Sequence, residues 1–155
     1  MSTQQQLDFL NKALAHAQLA SHLFPEYAAS EAALESAWGN STLCREGNNL
    51  FGEKQHATPI YDTLTLPTKE YIQGDWIEVD AHWVKFPSWK ESFQSRMETL
   101  RRLSSTYPHY AAALAAPDGA TFITEVSKTW STDPLRAEKV LAIHRIHFSP
   151  LGEVR

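Results

Sequence analysis

The sequence predicts an α+β fold, mostly α, with a small β-hairpin lobe inserted into a helical lobe. Three observations carry this. Apolar residues recur at helical spacing in the first and last thirds of the chain. A central block from about residue 58 to residue 86 is rich in β-branched and aromatic residues and is split by one hairpin-turn signal. No internal repeat, linker or low-complexity stretch divides the 155 residues, so residues 1–155 are expected to form a single domain.

The elements follow in order. Thr3 and Gln6 have capping-box spacing, and Leu7, Leu10, Leu14 and Ala17 lie on one face, so a helix is expected over 4–22. Pro25 suits the first turn of a second helix. Its small residues Ala28, Ala29, Ala32, Ala33 and Ala37 allow close packing and favour helix. This helix is expected to run to Trp38 and stop at Gly39. Residues 40–56 read as a loop, with Gly47, Asn48, Asn49 and Gly52 supplying turn chemistry.

In the central block, Gln73-Gly74-Asp75 marks the hairpin turn. Ile77, Val79, Ala81 and Trp83 alternate with Glu78, Asp80 and His82, which implies one buried and one wetter face. Ser88 and Glu91 read as a second capping box before the stripe Trp89, Phe93, Met97 and Leu100. A short Ala-rich helix spans Pro108 to Ala116, and Phe122, Ile123 and Val126 mark another over 119–129. Ser131-Thr132-Asp133-Pro134 then reads as an N-cap with proline in the first turn of a last helix that ends near His147. Trp76, Trp83, Trp89 and Phe51 are expected mainly in the core.

Composition narrows the function. The formal charge of -4 disfavours an electrostatic nucleic-acid binder. No apolar run approaches the roughly 20 residues that a membrane-spanning helix needs. A single cysteine, Cys44, excludes an intramolecular disulfide and reads as an inert, partly buried thiol. Residues 1–6 lack the basic and apolar regions of a signal peptide. His144 and His147 have metal-ligand spacing but no accompanying ligand cluster, so no metal or cofactor is expected.

The chemistry centres on Glu31-Ala-Ala-Leu-Glu-Ser-Ala-Trp-Gly39. Glu35 precedes the Trp38 indole by three residues, and a carboxyl beside an aromatic wall can hold a proton near neutral pH, as a general acid must. On spacing alone, a solvated helix-end carboxylate accounts for Glu35 at least as well. Glycosidic cleavage uses such an acid, usually with a second carboxylate across a cleft. Glu70, just before the hairpin turn, is the candidate partner, with Asp62 and Asp80 as alternatives.

Glu35-Ser-Ala-Trp-Gly39 followed by Asn48-Asn-Leu-Phe-Gly-Glu-Lys54 resembles the catalytic helix and loop of the glucosaminidase domains of glycoside hydrolase family 73, which are peptidoglycan hydrolases. Thr68-Lys-Glu-Tyr71 resembles that family's Thr-Thr-Glu-Tyr segment, and Trp130-Ser-Thr-Asp-Pro134 its Tyr-Ala-Thr-Asp-Pro segment. The resemblance spans about residues 7–145. It implies a lysozyme-like fold with a groove between the lobes, Glu35 as catalytic acid and Glu70 as its partner. It also implies hydrolysis of the glycan strand at the N-acetylglucosaminyl bond, with muramidase or lytic transglycosylase activity as alternatives. A non-catalytic wall-binding module is the alternative of another class. Trp38, Asn48, Asn49 and Trp130 are the candidate substrate contacts. Trp130 replaces the family tyrosine and offers an indole donor instead of a phenol. Glu31 replaces a glutamine, and its like charge one turn away is expected to help keep Glu35 protonated. The expected partner is peptidoglycan, bound by a monomer without nucleic acid or membrane insertion. The expected setting is synthesis in the cytoplasm, then release to the wall through a holin-like pore or a secretion apparatus.

Overall fold

The computed structural model describes residues 1–148 and contains seven helices and one antiparallel hairpin among them. The order is α1 (Thr3–Leu19), α2 (Pro25–Glu35), α3 (Thr42–Gly47), β1 (Asp62–Ile72), β2 (Asp75–Lys85), α4 (Trp89–Leu103), α5 (Pro108–Leu114), α6 (Gly119–Trp130) and α7 (Arg136–His147). The expected architecture, mostly α with an inserted β-hairpin, is what the chain adopts.

Helix α2 is the axis of the helical lobe. Ala28, Ala29, Ala32 and Ala33 are fully buried, and α1, α6 and α7 all pack against this helix. Side chains no larger than a methyl let these backbones approach one another. One apolar cluster joins α1 and α2 to Leu50, Phe51, Trp89 and Phe93. A second joins Met97 and Leu100 of α4 to Tyr110, Phe122, Ile123, Val126 and Val140. The site lies where the two clusters meet.

Several boundaries differ from expectation for identifiable reasons. The first capping box uses Ser2 and Gln5, one residue earlier than expected: Gln5 N donates to Ser2 Oγ at 3.1 Å and Ser2 N to Gln5 Oε1 at 2.8 Å. At α4 the Ser88 hydroxyl donates to the Glu91 carboxylate instead of capping the backbone. The Ser131–Pro134 segment forms turns of its own. Ser131 Oγ accepts from Asp133 N and Asp133 Oδ1 from Leu135 N, so α7 starts at Arg136. The loop after α2 contains the short α3, capped by Ser41, whose Oγ accepts from Cys44 N at 3.2 Å.

The hairpin turns at Gln73 and Gly74, both with positive φ, as a two-residue primed turn requires. Its base is anchored: Val84 and Ala81 are buried, Phe86 N donates to Gly47 O, and Lys54 bridges to Trp83. Its distal half is exposed on both faces. Trp76 is 71% exposed and packs on Tyr71 at 5.3 Å across the ladder, which corrects its expected place in the core. Alternation signals a half-buried strand only when a second layer covers it, and only the base of this hairpin is covered. Trp89 and Phe51 are buried, and Trp83 is partly so.

Candidate active site

Glu35 is the last residue of α2, and the chain reverses sharply behind it. Trp38 N donates to Ala33 O at 2.8 Å and Ala37 N to Leu34 O at 3.4 Å, the two bonds of a Schellman motif. Ala37, Trp38 and Gly39 all have positive φ, at 51°, 57° and 82°. Ser36 braces the reversal, donating to Ala32 O at 2.6 Å and accepting from Gly39 N at 2.9 Å. The helix therefore ends three residues before the expected Trp38.

This reversal seats the Trp38 ring among other aromatic residues. Its ring packs edge-on against Phe9 at 6.0 Å and His147 at 5.5 Å. The aromatic wall expected from Trp38 comes instead from residues distant in sequence. Glu35, Phe51, Gly52, Tyr110, Trp130 and Ser131 line an open hollow of about 430 Å³. Gly52 has φ +70° and only open space where a Cβ would stand, so the loop crosses the hollow without a side chain. The Glu35 side chain is 25% exposed, enough for a reactant to reach.

Beneath the hollow lies a buried charge network. The fully buried Glu31 accepts from Arg96 Nη1 and Nη2 at 2.7 Å each, a bidentate pair, and from Arg136 Nη2 at 2.7 Å. Arg136 Nε donates to Glu35 Oε1 at 2.9 Å, and its Nη2 lies 2.8 Å from the same oxygen. Arg136 Nη1 donates to Ser127 Oγ at 2.8 Å. The Arg96 guanidinium sits over Trp130 at 4.4 Å and Phe51 at 4.7 Å, so both rings take cation–π contacts from below the hollow.

The electrostatics follow. Burial pushes the Glu31 carboxyl up, but the charges and hydrogen bonds of Arg96 and Arg136 outweigh it and hold the group down at about 2. Burial likewise disfavours the Arg136 cation, and Glu31 and Glu35 together reverse that and raise it. Burial pushes the Tyr110 phenol up. The expected like-charge pressure of Glu31 on Glu35 is thereby corrected: two guanidiniums stand around Glu31, and one of them reaches Glu35.

Asn48 and Asn49, expected as substrate contacts, have their amides committed to the fold. Asn48 closes α3 in the left-handed region, and its Nδ2 donates to Phe86 O at 3.0 Å. Asn49 is 1% exposed; Nδ2 donates to Glu53 O and Val84 O, and Oδ1 accepts from Glu53 N, each at 2.9 Å. These bonds sew the loop to β2. Trp130 lies in the hollow beside Glu35. Glu70 lies opposite Ile77 near the hairpin tip, exposed, and neither it nor Asp62 or Asp80 lines the hollow. His144 stacks on Tyr27 at 3.8 Å, and among the described residues no three His, Cys, Asp or Glu side chains come together to hold a metal.

Arg96, Arg136 and Tyr110 were not singled out by the sequence reading. Arg96 had a signal: it falls on the buried stripe of α4 between Phe93 and Leu100, where a cation needs a partner. Ser131 also borders a second hollow, of about 770 Å³, that contains Thr124, Thr129 and Thr132. Ser131 thus lines both hollows.

Residues 11–147 match the family model described as mannosyl-glycoprotein endo-beta-N-acetylglucosaminidase (Glucosaminidase). The chain is similar to the exo-glucosaminidase LytG of Bacillus subtilis, at 30% identity over 90% of this chain and 50% of LytG. It is 32% identical to a probable N-acetylmuramidase of Lactococcus lactis over 74% of this chain and 27% of that protein. The chain therefore spans between about a quarter and a half of these relatives. Among solved structures, the catalytic domain of the autolysin Auto from Listeria monocytogenes superposes with a TM-score of 0.76, at 27% identity over 95% of this chain and 86% of that domain. A truncated glycoside hydrolase domain of FlgJ from Salmonella typhimurium gives 0.72, at 28% identity over 91% and 96%. The architecture is lysozyme-like, as these neighbours are.

Proposed function

We propose that this chain, which belongs to the glucosaminidase family, is a glycoside hydrolase that cuts the glycan strand of bacterial peptidoglycan. One observation carries the reading: the Glu35 carboxyl stands at the end of a buried helix, a quarter exposed, in an aromatic-walled hollow. An acid so placed can protonate a glycosidic oxygen while the partly exposed Trp130 ring offers a face to a pyranose. The hydroxyl-rich hollow past Ser131 suits further sugar units of a polymer. The names of relatives support peptidoglycan as the polymer: LytG is an exo-glucosaminidase, and FlgJ of Salmonella typhimurium is a peptidoglycan hydrolase.

We assign the cut to the N-acetylglucosaminyl bond, with Glu35 as the acid and Trp130 as a substrate contact. Glu70 would serve as the second carboxylate if the hairpin bends over the groove. The place of action is the bacterial wall. Mass spectrometry of digested sacculi tests the assignment: N-acetylglucosamine reducing ends are expected, and N-acetylmuramic acid reducing ends would replace it with a muramidase.

A second reading has its own observation. Among the described residues, Glu35 is the only carboxylate that lines its hollow. That favours a one-carboxylate mechanism such as that of a lytic transglycosylase, which leaves anhydro-muramic ends. The same digest distinguishes it.

A further inference from the structure

Arg136 and Glu35 make an unequal contact. Arg136 Nε donates to Glu35 Oε1, and Nη2 stands 2.8 Å from that same oxygen, so Oε1 faces two N–H groups. Oε2 has no hydrogen-bond partner among the described residues. Arg136 is itself buried and fully engaged: it is 2% exposed, and its other bonds run to Glu31 Oε2 and Ser127 Oγ. Glu31 is pinned in turn by Arg96. A guanidinium has donors only, and a neutral carboxyl carries one proton on one oxygen. An oxygen that already faces two N–H donors has no room for it.

We infer that Arg136 is a positioning residue that makes Glu35 a one-oxygen acid, with Oε1 anchored to the guanidinium and the transferable proton confined to Oε2. The inference rests on the reading of Glu35 as the acid. In the step, the Oε2–H bond breaks and its proton passes to the glycosidic oxygen. The bond between the anomeric carbon and that oxygen breaks, and its electron pair leaves with the oxygen as a hydroxyl. Water then adds to the anomeric carbon through a new C–O bond, and its released proton passes to solvent, from which Glu35 Oε2 is reprotonated. The carboxylate left on Glu35 gains charge-assisted bonds from the same Arg136 N–H groups, so the anchor tightens as charge develops. The remaining bonds of Arg136 hold that geometry from behind, and a misplacement of about 1 Å at an acid can cost about 100-fold in rate.

The test compares Arg136→Lys, Arg136→Met and Arg136→Gln, each of which leaves Glu31 paired with Arg96. Each is assayed for release of dye from labelled sacculi, for cosedimentation with sacculi, and for thermal unfolding. The expected result is a fall of about 100-fold in kcat for folded Arg136→Met and Arg136→Gln, with KM and wall binding within about three-fold of wild type. Partial rescue is expected in Arg136→Lys, which restores the cation without the fork. Turnover within three-fold of wild type in folded Arg136→Met or Arg136→Gln overturns the inference. So does a loss in which wall binding weakens in step with turnover, because that is the mark of a merely structural arginine. Glu35→Gln is run alongside. If it retains lysis, the reading of Glu35 as the acid fails; if it is inactive while the Arg136 variants stay active, only the present inference fails.

Discussion

Glu31 and Glu35, one turn apart on α2, share the guanidinium of Arg136: its Nη2 lies 2.7 Å from one carboxylate and 2.8 Å from the other. The first carboxylate is sealed in the core and the second opens to the groove, so a single cation couples the stability of the helical lobe to the geometry of the candidate acid.

Removing Glu31 is expected to damage the fold. Glu31→Leu leaves Arg96 and Arg136 as buried cations facing no carboxylate but Glu35, and breaking a buried pair typically costs about 3–5 kcal/mol. Urea unfolding measures this. A loss below about 1 kcal/mol would show that the network is not a structural keystone.

The same residue sets an acid limit. Glu31 titrates at about 2 in the folded chain against 4.5 for the free group. A depressed carboxylate contributes stability that is fully present above 4.5 and lost as the pH falls toward 2. The urea midpoint should fall steeply across that window in the wild type and less steeply in Glu31→Gln. Equal slopes would remove Glu31 as the cause.

His22 governs a different window. Burial, aided by the Arg96 charge, lowers it from 6.5 to about 4, and its Nδ1 accepts from Phe24 N at 2.9 Å. The folded chain keeps the ring neutral while the unfolded chain takes up a proton below 6.5. Stability is therefore expected to decline as the pH falls from 6.5 to 4 and to level off with respect to this group below that. His22→Asn, which offers an acceptor without a titration, should flatten the decline; an unchanged profile in that variant would contradict the assignment.

The reversal behind Glu35 places Ala37 at φ 51°, a conformation that glycine adopts freely. Ala37→Gly is expected to stabilise the chain by about 0.5–1 kcal/mol, raising Tm by roughly 2 °C. A lower Tm would mean that the methyl group makes a compensating contact.

Asn49 separates a structural role from a substrate role. Asn49→Ala removes three hydrogen bonds in a buried loop, an expected loss of about 3 kcal/mol in stability. At a temperature where the variant is folded, KM for sacculi should stay within three-fold of wild type. A raised KM at unchanged Tm would instead make Asn49 a glycan contact.

The limits of the sequence reading have physical causes. Helices and hairpin were legible because apolar spacing and turn residues are local signals. Glu35 stood out because its helix end and the Asn-Asn-Leu-Phe-Gly loop follow each other closely. Arg136 lies 101 residues from Glu35 and Arg96 lies 65 from Glu31, so no local pattern links them. Asn49 in a glycine-rich loop reads the same whether its amide meets backbone or ligand. Trp38 is expected beside Glu35 because the helix is expected to run to Trp38; three left-handed residues instead turn its ring to Phe9 and His147. Trp76 alternates like a core residue, but no layer covers the hairpin tip.

The most direct test of the central claim is fragment release from purified sacculi by Glu35→Gln, which preserves shape and removes the proton donor. Release is expected to fall at least about 1,000-fold, with wall binding intact and Tm within a few degrees of wild type. Lysis within a few-fold of wild type would contradict the assignment of Glu35 as the acid.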